Sequence, residues 1–106
     1  MQRIAVLGAT GSIGTSALDV LSRYPDDFYV HTLAAGTRIE KLADLAARFH
    51  PEVVGIADKN KAKDLKDLLA ARGLQTIRIA AGSGDVASLA GESRVDTVLQ
   101  AVVGAA

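Results

Sequence analysis

The glycine-rich segment near the start of the chain constrains the fold more than any other feature. It runs from Gly8 to Gly14 (GATGSIG), between a short apolar block, Arg3–Leu7, and a stretch with helical spacing of apolar residues, Ile13–Tyr24. Glycine at these positions permits a tight turn, lets a ligand approach the backbone and lets a helix pack closely on a strand. Because a helix begins with unpaired backbone amides, the segment predicts a strand, a turn and a helix that bind a phosphate group.

Segments with strand-like and helix-like patterns alternate along the rest of the chain. The predicted strands are Arg3–Leu7, Phe28–Ala35, Val53–Ala57, Thr76–Ile79 and Val95–Val103. The predicted helices are Ile13–Tyr24, one that starts at a capping box, Thr37–Glu40, and continues to Phe49, then Lys61–Arg72 and a short one around Asp85–Leu89. This alternation is typical of the α/β class. With right-handed crossovers it predicts a doubly wound, Rossmann-like parallel sheet in a three-layer αβα arrangement, with about five strands and helices on both faces.

Composition limits the organisation of the chain and its partners. The 106 residues, 49% of them hydrophobic, suffice for one core, so a single domain over residues 1–106 is expected. Twelve basic and twelve acidic residues cancel, so neither nucleic acid nor a membrane surface is favoured as a partner. The sequence contains no cysteine and no visible targeting segment. A cytoplasmic location is therefore the expectation.

The residues after the second predicted strand indicate which dinucleotide binds. NAD-binding sheets usually place a carboxylate there, which holds the adenosine ribose, whereas a basic residue favours a 2′-phosphate. Here the strand is followed by Gly36, Thr37 and Arg38, with no carboxylate among them. NADPH is therefore preferred over NADH. The hydroxyls of Thr10 and Ser12 are additional donors for the phosphate at the glycine-rich turn. Two alternatives stay open: a glycine turn that serves packing alone, and an Arg38 that is an ordinary exposed helix residue.

Other candidates for chemistry are weak. His31 lies inside a predicted strand and His50 stands at a helix end before a proline, so both are interpreted as core or surface histidines. Asp19, Asp44 and Asp96 are dispersed and form no pattern of metal ligands. No catalytic or metal-binding residue is predicted in this chain.

Further positions match a known enzyme family. They are Ile4–Ser16 (IAVLGATGSIGTS), Leu18, Asp19, Val20, Pro25, Phe28, Val30, Leu33, Ala35, Gly36 and the closing Ala101–Ala106 (AVVGAA). Together they resemble the 1-deoxy-D-xylulose 5-phosphate reductoisomerase family over the full length of the chain. The resemblance implies cofactor contacts at Thr10, Gly11, Ser12, Ile13, Gly36, Thr37 and Arg38. The last two depart from the family's usual pattern, in which Lys, Arg or Ser precedes Asn.

The resemblance also implies an activity for the full-length protein. Such an enzyme converts 1-deoxy-D-xylulose 5-phosphate to 2-C-methyl-D-erythritol 4-phosphate in non-mevalonate isoprenoid biosynthesis, using NADPH and Mg²⁺ or Mn²⁺, as a homodimer. The family's Asn-Lys-Glu segment and acidic metal ligands would follow Ala106, so we expect a cofactor-binding domain that binds without turnover. The alternatives are a stand-alone NADP-sensing module and the cofactor domain of another NADP-dependent dehydrogenase or epimerase.

Overall fold

Five parallel strands form one sheet in the order β4-β3-β2-β1-β5. The computed structural model describes residues 1–101, so residues 102 and 103 of the last predicted strand, and the end of the predicted domain, lie outside the described residues. The elements are β1 Gln2–Leu7, α1 Ser12–Leu21, β2 Phe28–Ala35, α2 Ile39–Phe49, β3 Val53–Ile56, α3 Ala62–Ala71, β4 Arg78–Ala81, α4 Ser83–Ser88 and β5 Thr97–Gln100, with 3₁₀ turns at Lys59–Lys61 and Leu89–Gly91. The predicted doubly wound α/β fold is confirmed.

The order of the strands assigns the helices to the two faces of the sheet. From β1 to β4 the chain moves in one direction, so right-handed crossovers place α1, α2 and α3 on one face. The connection through α4 returns across the sheet to β5 and therefore covers the other face. The main core lies under the first three helices, where Val6, Leu33 and Ile56 of the strands meet Leu18 and Leu65 of the helices. The described helices are too short and too polar to cross a membrane.

A bulge in β2 sets which of its side chains reach each face. Ile4 pairs with Val30, but the next residue of β1 pairs with Thr32, so His31 is the extra residue. The buried His31 ring bonds the Thr32 hydroxyl at 2.8 Å and the Glu52 carboxylate at 3.0 Å. His31, which the sequence left as a core or a surface histidine, is thus a core histidine, and its acidic partner could not be read from neighbouring residues.

The predicted apolar face of α1 is partly wrong. Leu18 is buried, but Ile13 and Val20 are 56% and 51% exposed. The buried residues of the helix are Gly14 and Leu18, so its buried side is centred on them. Ile13 and Val20 lie outside that side. The helix also ends at Leu21 instead of Tyr24, because the following residues form tighter turns, with the Arg23 amide donating to the Val20 carbonyl.

The predicted capping box of α2 does not form. The helix begins at Ile39, with Arg38 as its N-cap and no capping bond from a side chain. The Ile39 amide donates to the Thr37 carbonyl in a tight turn, and the first helical bond runs from the Leu42 amide to the Arg38 carbonyl. Thr37 thus lies one position too early for its hydroxyl to cap. The helix ends where predicted, at His50 in the left-handed conformation before a proline.

β2 has its predicted boundaries, and β5 ends at Gln100 instead of Val103. The other boundaries agree with the predictions or differ by one or two residues. β4 lies at one edge of the sheet and begins at Arg78 instead of Thr76, because the Ile77 amide donates to the Leu74 carbonyl and holds the predicted start in a turn. The short helix α4 begins at Ser83, two residues before the predicted Asp85, and β5 begins at Thr97 instead of Val95. Short elements carry little periodicity, so their ends depend on tertiary contacts.

β5 lies beside β1 and forms the other edge of the sheet. Within residues 1–101 no strand pairs with its outer side. Unpaired edges without lysine or proline promote association between chains. We therefore expect sedimentation velocity to show reversible dimers or larger species as concentration rises, and Thr97→Lys to shift them to monomer. Thr76→Lys is the control, because Thr76 is exposed and lies outside the strands. If the unaltered chain were a monomer at every concentration, this expectation would be contradicted.

Candidate functional site

The glycine-rich turn is held at the carboxyl end of β1 by the neighbouring strand. The amides of Gly8 and Ala9 both donate to the Ala34 carbonyl of β2, at 2.9 and 2.8 Å. Gly8 has a φ of 79°, in the left-handed region that side chains rarely adopt, and its carbonyl accepts from the Gly11 amide at 3.2 Å. The turn is therefore fixed to the sheet before the helix begins.

The first turn of α1 presents backbone donors to a ligand. Gly11 is the N-cap, and no side chain caps the amides that follow. The first bond across a full helical turn runs from the Thr15 amide to the Gly11 carbonyl at 2.9 Å, so the amides of Ser12, Ile13 and Gly14 precede the helical ladder. Unpaired amides and the helix dipole favour an anion at this point.

Gly14 lets α1 begin directly on the turn. A Cβ at this position would lie 2.3 Å from the Gly8 carbonyl oxygen and 2.8 Å from the Ala9 Cα. Neither backbone atom can move aside like a side-chain end, so the site admits only glycine. This close contact is the role predicted for Gly14. At Gly11 a Cβ would meet the Gly8 oxygen at an ordinary 3.6 Å.

A cleft of about 670 Å³ opens beside the turn at the carboxyl ends of the strands. It includes the point between β1 and β5 where the chain reverses direction across the sheet, which is where open α/β sheets bind ligands. Its walls are mostly glycine and apolar side chains, with α4 on one side: Leu7, Gly8, Gly11, Ala34, Ala35, Gly36, Ala57, Ser83, Val86, Ala87, Gln100 and Ala101. Such a surface suits a flat organic ligand fixed by a few polar groups.

The cleft brings together only part of the predicted cofactor site. Gly11 and Gly36 both line it. Ser12 and Ile13 are exposed in the first turn of α1, and Thr10 is buried within the glycine turn.

Thr37 and Arg38 lie outside this lining. Both are exposed, immediately beyond the end of β2. Within residues 1–101 the Arg38 guanidinium forms no ion pair, so it is available to a phosphate. Cofactor contact by the seven residues from Thr10 to Arg38 stays a prediction.

Sequence reasoning missed the residues that close the cleft. Ala57 and Gln100 could have been predicted, because they stand where β3 and β5 end and the carboxyl ends of parallel strands meet at one edge of the sheet. The wall made by Ser83, Val86 and Ala87 had no such signal, since it depends on α4 crossing to the opposite face. Gly55 of β3 permits this approach: a Cβ there would lie only 2.9 Å from Leu89 Cδ1 and 3.1 Å from Val86 Cγ2.

The ionisable groups with shifted pKa values lie outside the cleft. Burial raises the pKa of Tyr29, and the Glu52 carboxylate raises it further. The Arg78 hydrogen bond holds the pKa of Glu92 below its usual range. In the described part of the chain no three His, Asp or Glu side chains gather as metal ligands. Among residues 1–101 the cleft lining contains no titratable side chain. Its mostly apolar walls and two polar side chains can bind and orient a ligand.

Comparison with known proteins yields one family. The sequence model described as 1-deoxy-D-xylulose 5-phosphate reductoisomerase matches residues 4–106. Proteins of that name from Janthinobacterium sp. (strain Marseille) and Aromatoleum aromaticum are 42% and 44% identical over 106 residues, which is all of this chain and 27% and 26% of theirs. The chain thus spans about a quarter of the length of the curated relatives it matches.

Solved structures agree with the sequence matches. A DOX-P reductoisomerase in complex with NADPH, fosmidomycin and magnesium superposes with a TM-score of 0.90 at 36% identity, covering 98% of this chain and 25% of the other. The 1-deoxy-D-xylulose 5-phosphate reductoisomerase from Zymomonas mobilis in complex with NADPH gives 0.84 at 37% identity, covering 97% and 26%.

The contact at Gly14 can be tested by adding one methyl group. We expect Gly14→Ala to lower the free energy of unfolding by about 3 kcal/mol, because the new Cβ must displace backbone. Urea denaturation followed by circular dichroism measures the change. Gly91→Ala is the matched control, since Gly91 is exposed with no atom within 4 Å of a Cβ. Equal stability of the two variants would contradict the close contact.

Proposed function

The chain belongs to the 1-deoxy-D-xylulose 5-phosphate reductoisomerase family, and from this premise we propose that residues 1–106 are the NADPH-binding domain of such an enzyme. One observation carries the proposal: a turn that admits only glycine at Gly14 aims uncapped amides at the edge of a cleft at the reversal point of the sheet. Relatives solved with NADPH share this fold. The fit between turn and dinucleotide supports cofactor binding at this place.

Each predicted contact has a distinct task in this proposal. The amides of Ser12 and Ile13, with Thr10 and Gly11, bind the pyrophosphate at the start of α1. Gly36, Thr37 and Arg38 bind the 2′-phosphate beyond β2, where the exposed guanidinium supplies a charge-assisted pair. When bound, NADPH supplies the hydride for the reduction.

We assign the rest of the reaction to the longer protein. The reaction would be conversion of 1-deoxy-D-xylulose 5-phosphate to 2-C-methyl-D-erythritol 4-phosphate. Magnesium is present in three solved structures of relatives, but residues 1–101 offer no acidic cluster that fits Mg²⁺ or Mn²⁺. The family resemblance further supports a cytoplasmic, homodimeric enzyme, with this chain binding cofactor without turnover.

Cofactor choice is the direct test. NADPH should bind more tightly than NADH, and Arg38→Ala should weaken NADPH binding roughly 10- to 100-fold while leaving NADH nearly unchanged, because a hydrogen bond to a charged group contributes about 1.5–3 kcal/mol. Fluorescence titration of each nucleotide measures the affinities. Arg23→Ala removes an exposed arginine that pairs with Asp19 and is the control. Failure to bind either nucleotide would reject the proposed function, and equal affinities would reject the role of Arg38.

A further inference from the structure

Among residues 1–101, two side chains in the cleft lining can form hydrogen bonds. Ser83 stands on the α4 wall and Gln100 at the end of β5, while every other lining residue is glycine or apolar. In a mostly apolar site, a small number of polar groups fixes how a ligand is oriented. Gln100 lines the same cleft as Gly8 and Gly11 of the glycine turn.

The register of β5 directs the Gln100 side chain into the cleft. Gln100 pairs with Leu7, which also lines the cleft, and the Ala101 amide donates to the Leu7 carbonyl at 2.8 Å. The preceding residue, Leu99, packs against the main core on the opposite face. Because successive side chains of a strand alternate between faces, Gln100 points away from that core.

The Gln100 carboxamide is a free donor and acceptor. Gln100 is exposed, and within residues 1–101 its side chain makes no hydrogen bond to another protein group. A neutral carboxamide suits a partner with both a carbonyl and N–H groups, or a sugar hydroxyl. In the proposed function the α1 amides bind the pyrophosphate, so that phosphate group does not require the Gln100 carboxamide.

The strand order determines which half of the cofactor reaches Gln100. β2 and β5 flank β1 on opposite sides. In the proposed function the adenosine 2′-phosphate lies beyond β2 and the pyrophosphate at the turn after β1. An extended dinucleotide then continues toward β5. On the basis of that proposed function, we propose that Gln100 binds the nicotinamide riboside half of NADPH, by hydrogen bonds to the nicotinamide carboxamide or the ribose hydroxyls.

A fragment of the cofactor isolates this contact. Adenosine 2′,5′-bisphosphate retains the adenosine and the 2′-phosphate but lacks the nicotinamide half. We expect Gln100→Leu to weaken NADPH binding about fivefold, as expected for loss of one neutral hydrogen bond, and to leave binding of the bisphosphate unchanged. Isothermal titration calorimetry on the 106-residue chain measures both. Gln100→Ala is a second variant, and Gln75→Leu, an exposed glutamine outside the cleft, is the matched control.

The outcomes separate this inference from the function on which it rests. If the unaltered chain binds neither ligand, the proposed function fails and Gln100 has no role in it. If the unaltered chain binds NADPH and both Gln100 variants bind it as tightly as the unaltered chain does, the function stands and the role of Gln100 is rejected. Equal weakening of NADPH and the bisphosphate would also reject it, because the effect would not depend on the nicotinamide half.

Discussion

The close contact between Gly14 and the Gly8 carbonyl is the constraint on which the rest of the site depends. Because only glycine fits there, α1 begins directly on the turn after β1 and buries Leu18 in the main core. The same contact aims the uncapped first turn of α1 at the edge of the cleft. The contact at Gly14 thus both packs the helix on the core and positions its amides, so the core and the proposed phosphate site depend on the same contact.

The turn is also coupled to the second strand, and the bulge sets that coupling. The Ala34 carbonyl accepts hydrogen bonds from the amides of Gly8 and Ala9, so β2 must place Ala34 directly beside the turn. The extra residue, His31, advances the register by one and exchanges the faces of all the following side chains. Leu33 consequently joins the core while Ala34 lines the cleft. A hydrogen-bonded histidine in the middle of β2 therefore helps to form the site at the carboxyl end of that strand.

The sequence predicts those features that rest on local chemistry. The glycine turn, the central strands and the doubly wound class follow from spacing and apolar periodicity, and the structure agrees. The errors occur where tertiary contacts decide. Gly14 and Leu18 form the buried side of α1 and leave Val20 exposed, although a helical pattern alone would bury it. The residue pattern at Thr37 satisfies the capping box, yet a tight backbone turn starts the helix one residue later.

The parts of the proposed site differ in how strongly they depend on particular side chains. Backbone amides of the α1 turn are donors whatever the side chain, so the proposed phosphate binding there depends mainly on backbone shape. Selectivity must then come from side chains outside the turn. In the proposed function Arg38 recognises charge beyond β2, and in the further inference Gln100 recognises neutral polar groups beside β5. Since these positions lie on opposite sides of β1, the choice of phosphate at one end and the orientation of the ring at the other can be tuned independently.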